Sequence, residues 1–142
     1  SAHFYSLGVS LMHQRLLDIG FRKVGEWKLS ASGITCTLDA EAKSRNILYA
    51  FESEREILYI GKTVQPLKAR MYGYQNPGPT QSTNIRNNAN LKECLGAGGT
   101  VSILVLPDHG LLKYGGFHLN LAAALEDDIV SQLKPKWNKT GI

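Results

Sequence analysis

Two short apolar stretches joined by a charged turn, ILYAFESEREILYIGKT at residues 47–63, constrain the fold most. Each stretch has the length of one strand, and the polar ESERE segment between them suits a hairpin. Both arms are apolar on both faces, which is typical of strands that helices cover on both sides of a sheet. The segment therefore predicts a central hairpin within a layered domain of helices and strands.

The rest of the chain supplies further elements around this hairpin. Additional strands are predicted at residues 21–38, with a turn at 30–33, and at residues 100–106. Helices are predicted at four places: residues 8–20, residue 66 onward, residues 84–95 and residues 119–133. Residues 73–83 are predicted to form a loop and residues 109–118 an irregular connection. We expect an α/β (α+β) fold in which a small, mostly antiparallel sheet is flanked by helices.

The composition is that of an ordinary globular domain, with 142 residues, 43% of them hydrophobic and 20% charged. No apolar run has the length of a membrane span, and the first twenty residues lack the pattern of a secretion signal. Cys36 and Cys94 are far apart and show no metal-ligand spacing. We expect two free thiols in a reducing, cytoplasmic setting with no membrane partner.

The basic residues are clustered, although the formal net charge is only +4. Residues 57–92 contain five basic side chains and no acidic one: Lys62, Lys68, Arg70, Arg86 and Lys92. Lysines 134, 136 and 139 follow near the C-terminus, again without a carboxylate. Such clustering indicates either a solvated basic face or a surface for a polyanion such as nucleic acid.

Glu126 is a carboxylate in an unexpected position. On a helical wheel of residues 119–133 it falls within the apolar arc, whereas Asp127 and Asp128 point to the polar side. A carboxylate on an apolar face must be paired with a cation, protonated or bound to a metal. Because no second carboxylate shares that face, a single hard ion such as Mg²⁺ fits better than a two-metal site.

Two tyrosines are predicted on adjacent arms of the hairpin. Tyr49 lies on the first arm and Tyr59 on the second, and each taken alone is most simply a core or edge aromatic residue. The YIGKT stretch lacks the spacing of a phosphate-binding P-loop. Gly61 instead permits a sharp turn that leaves Lys62 near Tyr59, with Arg70 one short helix away.

Taken together, these residues resemble the GIY-YIG nuclease family. The ILY stretch (47–49) resembles the first motif, YIG (59–61) the second, and KTVQPLKARMYGY the Lys-Thr, Leu and Arg pattern that follows. Glu126 in LAAALED resembles the family's metal-binding glutamate, and Asn138 in KPKWNKTG its late asparagine. The resemblance covers residues 46–138, about two-thirds of the chain.

The resemblance implies a metal-dependent DNA endonuclease with one active site. It implies that Tyr49 is the general base for the attacking water, with its phenolate favoured by Lys62, and that Tyr59 binds the scissile phosphate. Arg70 would stabilise the developing negative charge, and Glu126 would hold one Mg²⁺ or Mn²⁺. Asn138 would orient the phosphate, a water or the C-terminal segment. Four further residues are expected to contact the nucleic acid: Lys68, Arg86, Asn87 and Asn88.

The sequence departs from the family pattern at two positions. Ile47 replaces the first glycine of the first motif, and Tyr74 stands where many members have histidine, so we expect Tyr74 to substitute as a hydrogen-bonding group. Residues 1–45 read as an N-terminal extension packed on a nuclease core at residues 46–142, in a stand-alone, restriction-enzyme-like protein. A double-strand break would require a homodimer on double-stranded DNA, a second binding event or two successive nicks.

Two other hypotheses remain open from the sequence. One is a nucleic-acid-binding module on the same fold without turnover. The other is a structural protein in which Glu126 merely pairs with Arg70.

Overall fold

The computed structural model describes residues 2–138, with side chains from residue 7 onward. Its helices, in chain order, are α1 (Ala2–Asp18), α2 (Leu67–Gln75), α3 (Ser82–Gly96) and α4 (Leu121–Leu133). Its strands are β1 (Arg22–Ser30), β2 (Gly33–Leu38), β3 (Ile47–Ser53), β4 (Glu56–Thr63), β5 (Val101–Leu106), β6 (Lys113–Tyr114) and β7 (Phe117–His118).

Five of the strands form one antiparallel sheet in the order β2-β1-β5-β3-β4. Strand β3 pairs with β4 on one side and with β5 on the other, so it lies inside the sheet, and β4 is an edge strand. The first five residues of β3, from Ile47 to Phe51, are each at most 1% exposed. This burial confirms the prediction that helices cover the hairpin on both sides.

Helices cover the sheet in two layers. Helices α1 and α4 contact β4 on one face, where Leu48, Ala50 and Ile60 pack with Ala122 and Ile129. Helices α2 and α3 cover the opposite face, above a core that contains Trp27, Tyr49, Phe51, Tyr74 and Leu91. The predicted α+β class and antiparallel sheet are confirmed. Full burial of each large apolar side chain stabilises such a core by about 1.5–3 kcal/mol.

The structure differs from the predicted elements at two places. Helix α1 spans Ala2–Asp18 and so begins earlier than the predicted residue 8. Residues 109–118 contain the two-stranded hairpin β6-β7, which turns at Gly115 and Gly116, both with positive φ. Two-residue strands are too short to show an alternation of apolar and polar positions, so the sequence pattern does not predict this hairpin. Its side chains Tyr114 and Phe117 are more than three-quarters exposed.

The N-terminal third of the chain contributes directly to the sheet. Strand β1 pairs with β2 and also with β5, so residues before 45 supply two of the five strands. The division of the chain into an extension and a core at residue 45 stays a prediction. Within the part of the chain that the structure covers, no helix is both long and apolar enough to cross a membrane.

The two cysteines are free thiols, each partly buried. Burial raises the pKa of the Cys36 thiol to about 12. At neutral pH this side chain is therefore a small apolar group and not a nucleophile.

Candidate functional site

The two hairpin tyrosines meet a third tyrosine beneath α2. Tyr49 is 1% exposed, and its hydroxyl lies 2.6 Å from the hydroxyl of Tyr74. The ring of Tyr59 lies 6.2 Å from the ring of Tyr49 and 6.3 Å from that of Tyr74, measured between centroids. The hairpin and α2 therefore gather all three phenol rings in one cluster.

Gly61 is required by the close approach of the tyrosine rings. It lies opposite Tyr49 in the β3-β4 register. A Cβ at position 61 would lie 2.6 Å from both Cζ and Oη of Tyr49, and 2.9 Å from Cε2 of Tyr59. Because neither buried ring can withdraw, only glycine fits here. The expected sharp turn at Gly61 is not formed, because β4 continues through this residue to Thr63. The glycine acts through packing instead.

Arg70 is held in a fixed orientation by two hydrogen bonds. Its Nη2 donates to the Tyr74 hydroxyl at 2.8 Å, and its Nη1 donates to Oδ1 of Asn84 at 2.8 Å. The guanidinium carbon also lies 4.2 Å from the centroid of the Tyr74 ring. Arg70 and Tyr74 are four residues apart on α2, so the helix itself places one beside the other. The predicted role of Tyr74 as a hydrogen-bonding group agrees with this contact.

Asn84 and Gln81 extend this hydrogen-bonded chain, and the sequence patterns did not point to either. Nδ2 of Asn84 donates to Oε1 of Gln81 at 3.0 Å, and the same oxygen accepts from the backbone N–H of Gly78 at 2.8 Å. Asn84 is 8% exposed. The sequence signal for Asn84 was its place on the inward face of an amphipathic helix. A buried amide there must find a hydrogen-bond partner.

Lys62 and Glu126 form a separate ion pair. Lys62 Nζ lies 3.6 Å from Glu126 Oε1, with the two side chains 48% and 22% exposed. Of the states left open for Glu126, the structure shows pairing with a cation. That cation is Lys62, whereas the structural hypothesis required Arg70, whose guanidinium donates to Tyr74 and Asn84. The ion pair is partly exposed and so contributes little stability.

A cleft of about 890 Å³ is bordered by one member of each group, Lys62 and Arg70, whereas Glu126 does not line it. Thr63, Gly73 and Asn84 also line the cleft. The two cations of the candidate site therefore face the same open space. The lining residues include no carboxylate, so the cleft offers an anion two positive charges.

Burial opposes ionisation of the tyrosines in this cluster. It raises the pKa of Tyr49 far above its usual 10, and the nearby charge of Arg70 offsets this only in part. Burial likewise raises the pKa of Tyr74. The cation acting on Tyr49 is Arg70, so the prediction that Lys62 favours its phenolate is corrected. The free protein holds both tyrosines neutral at neutral pH.

Raising the pH above 10 is expected to destabilise the fold through these two tyrosines. Because their folded-state pKa values are raised, the contribution is complete below pH 10 and is lost as the pH rises toward the folded-state values. Each tyrosine should lower the unfolding free energy by up to about 1.4 kcal/mol per pH unit. Urea unfolding between pH 8 and pH 11 measures this slope.

Tyr74→Phe should reduce that slope, and Tyr72→Phe, on the exposed face of the same helix, is the matched control. The buried Cys36 thiol contributes from pH 9 upward, equally in both variants. An unchanged slope in Tyr74→Phe would contradict the prediction.

Asn138 attaches the C-terminal segment to the edge strand. Its Oδ1 accepts from the backbone N–H of Ile60 at 2.9 Å, and its Nδ2 donates to the carbonyl of Ile60 at 2.9 Å. The backbone N–H of Trp137 donates to the Leu58 carbonyl in the same way. Of the three roles expected for Asn138, the geometry favours orienting the C-terminal segment against β4, next to Gly61.

The residues expected to contact nucleic acid divide into two groups. Lys68 is exposed on α2, and Arg86 is partly exposed on α3. Asn87 is fully buried, and Asn88 is 8% exposed with its Nδ2 donating to the Tyr74 carbonyl at 2.8 Å. Burial contradicts the prediction that Asn87 and Asn88 contact nucleic acid. Both lie with Asn84 on the inward face of α3. Because asparagines occupy that face, the sequence shows no apolar stripe that would predict it.

A metal site here would rely on Glu126 as its carboxylate. Among the side chains described, those of residues 7–138, no three or more His, Cys, Asp and Glu residues cluster as metal ligands. Mg²⁺ is commonly held by one or two carboxylates together with waters and substrate phosphates. The partly exposed Glu126, paired only with a flexible lysine side chain among the described contacts, fits that requirement.

The fold is shared with two nucleases of known structure. A mutant of EndoII from bacteriophage T4 is similar with a TM-score of 0.68 and 22% identity, over 89% of this chain and 97% of that one. Restriction endonuclease HPY188I, solved in complex with product DNA, is similar with a TM-score of 0.51 and 17% identity, over 86% and 78% of the two chains. No family model and no curated protein sequence matches the chain.

Proposed function

We propose that the chain is a divalent-metal-dependent endonuclease that hydrolyses DNA phosphodiester bonds in the cleft between Lys62 and Arg70. The observation that carries the proposal is the hydrogen-bonded chain that runs from Tyr49 through Tyr74 and Arg70 to Asn84. It holds a guanidinium rigidly at the wall of a basic cleft. The fold, shared with two nucleases, supports the same proposal.

Arg70 would bind the scissile phosphate and stabilise the charge that develops on it. A guanidinium that is oriented before the substrate arrives needs no reorganisation during the reaction, which makes it an effective electrostatic catalyst. Two of its N–H groups are occupied by Tyr74 and Asn84, and the remaining donors are available to phosphate oxygens. Tyr59, at the rim of the cluster and 8% exposed, would add a hydroxyl donor to the same phosphate.

Tyr49 and Lys62 would act on the attacking water and on the bound metal. Because burial keeps the Tyr49 proton in place, the phenol orients the water in the free protein and removes a proton only when further positive charge arrives. Glu126 would hold one Mg²⁺ or Mn²⁺, which would supply Lewis-acid stabilisation of the leaving oxygen. Lys62 would then turn from Glu126 toward the phosphate in the cleft.

The test is cleavage of supercoiled plasmid with Mg²⁺ or Mn²⁺, beside the same reaction in EDTA. Glu126→Gln is expected to lower the rate by about 100-fold or more, since several kcal/mol of charge stabilisation depend on the metal. Asp127→Asn, the next residue on α4 and exposed, is the matched control and should cleave normally. Metal-independent cleavage, or equal activity of the two variants, would overturn the proposal.

A second candidate function is a nucleic-acid-binding module without turnover. Two observations favour it: the Glu126 carboxylate is occupied by Lys62, and Tyr49 resists ionisation. This candidate predicts that DNA binds in the plasmid experiment and is not cut with either metal. Because one site cuts one strand, nicks without linear product would indicate a monomer, and linear product formed without a nicked intermediate would indicate a homodimer on the DNA.

A further inference from the structure

A second basic cleft lies on the outer side of the edge strand. Its volume is about 460 Å³, and it is lined by five residues: Arg86, Asn90, Lys136, Trp137 and Asn138. Two of the five are cations and none is a carboxylate. The remaining three offer two amides and an indole ring, which is the chemistry of a site for a nucleotide.

This cleft adjoins the candidate active site. Asn138, in its wall, is hydrogen-bonded to the backbone of Ile60, which immediately precedes Gly61 and the tyrosine cluster. Helix α3 lines both clefts, with Asn84 facing the first and Arg86, one half-turn further along, facing the second. Because Asn84 and Arg86 are two positions apart, the two clefts border the same part of α3, and one nucleic-acid strand can contact both.

Arg86 places a positive charge at the second cleft. Its side chain is partly buried, and it makes no hydrogen bond or ion pair with any side chain described between residues 7 and 138. A guanidinium remains charged under all ordinary conditions, so a partly buried one without a partner favours a bound anion. Lys136 is 59% exposed and forms a 3.5 Å ion pair with Glu56, which is weak enough to rearrange around a phosphate.

Trp137 provides an aromatic surface beside these cations. Its indole packs against the core on one side and lines the cleft with its partly exposed remainder. Bases stack on such rings with little sequence preference. The backbone bond from Trp137 to Leu58 fixes the residue against β4, so the ring is held in place before any ligand binds.

We propose that this second cleft binds the nucleic-acid strand beside the scissile phosphate, with Arg86 and Lys136 on a backbone phosphate and Trp137 against a base or sugar. The inference rests on the proposed function, because it assumes that the first cleft holds a phosphate of the same strand. It assigns substrate binding to Lys136 and Trp137, which lie outside the catalytic chain.

The first experiment measures binding alone. Fluorescence anisotropy with a labelled 20-base-pair duplex, and with one of its strands, is recorded in EDTA over a series of KCl concentrations. Arg86→Ala is expected to weaken binding several-fold and to reduce the slope of log affinity against log salt by about one. Lys92→Ala, which removes an exposed charge from the same helix outside the cleft, should leave that slope nearly unchanged.

The second experiment uses intrinsic fluorescence. The chain has two tryptophans, and Trp27 is only 2% exposed, so DNA-induced quenching reports on Trp137. Saturating unlabelled DNA is expected to quench the emission of the native protein. Trp137→Phe should abolish the quenching and weaken binding without changing the salt slope, because no charge is removed.

The outcomes separate this inference from the proposed function. A reduced salt slope in Arg86→Ala together with quenching through Trp137 supports the second cleft, even if no plasmid is cut. Plasmid cleavage with identical salt slopes for Arg86→Ala and Lys92→Ala, and no quenching, overturns the second cleft and leaves the nuclease proposal standing. Failure of the native protein to bind either DNA overturns both.

Discussion

Arg70→Lys is expected to abolish most plasmid cleavage, lowering the single-turnover rate by about 100- to 1,000-fold. Lysine keeps the charge but cannot donate to Tyr74 and Asn84 while also contacting a phosphate, because its single ammonium lacks the planar fork. The loss should therefore appear in the rate of the chemical step at saturating protein. DNA affinity should change far less, since the net charge is preserved.

Lys68→Arg is the matched control for this substitution. Lys68 lies on the same helix and is exposed to solvent. The substitution exchanges the same two residue types in the opposite direction. Its cleavage rate should equal that of the native protein. If Arg70→Lys retained more than about a tenth of the native rate, the requirement for an oriented guanidinium would be wrong, and a positive charge alone would suffice.

Gly61→Ala is expected to lower both the stability of the fold and the rate of plasmid cleavage. The added methyl group would lie 2.6 Å from the Tyr49 ring, which is 1% exposed beneath α2 and cannot move aside. Overpacking of this kind costs about 1–3 kcal/mol, and displacement of Tyr49 would also break its hydrogen bond to Tyr74. Urea unfolding should show the loss, and cleavage should fall with it.

Gly96→Ala tests whether the effect comes from the close approach. Gly96 ends α3, and nothing lies within 4 Å of a Cβ placed there. This control should be neutral or slightly stabilising, because alanine favours helix over glycine. Equal unfolding free energies for the two variants would show that the tyrosine cluster tolerates displacement and that position 61 does not require glycine.

Some of these features can be predicted from the sequence, because they depend on residues close together in the chain. The apolar arms of residues 47–63 predict a covered hairpin, and Pro66 predicts the start of α2, because both depend on short-range pattern. The pairing of Arg70 with Tyr74 follows from their helical spacing of four residues. Glu126 stands out on its helix for the same reason, since the wheel places it on the apolar side.

Other features depend on contacts between residues that are distant in the chain. The partner of Glu126 is Lys62, 64 positions earlier, because α4 packs against strand β4. Asn84 reaches Arg70 only because α3 crosses beside α2. Asn87 and Asn88 were expected at a surface, and the direction in which α3 faces the sheet buries them instead.

Periodicity and spacing thus determined the element types and which side chains could meet along one helix or one hairpin. The tertiary structure alone decided which face of α3 is buried, which cation pairs with the carboxylate, and that burial keeps the tyrosines protonated. The physical reason is that local patterns specify backbone preference, whereas hydrogen-bond partners and pKa shifts depend on desolvation by elements that the chain brings together from afar.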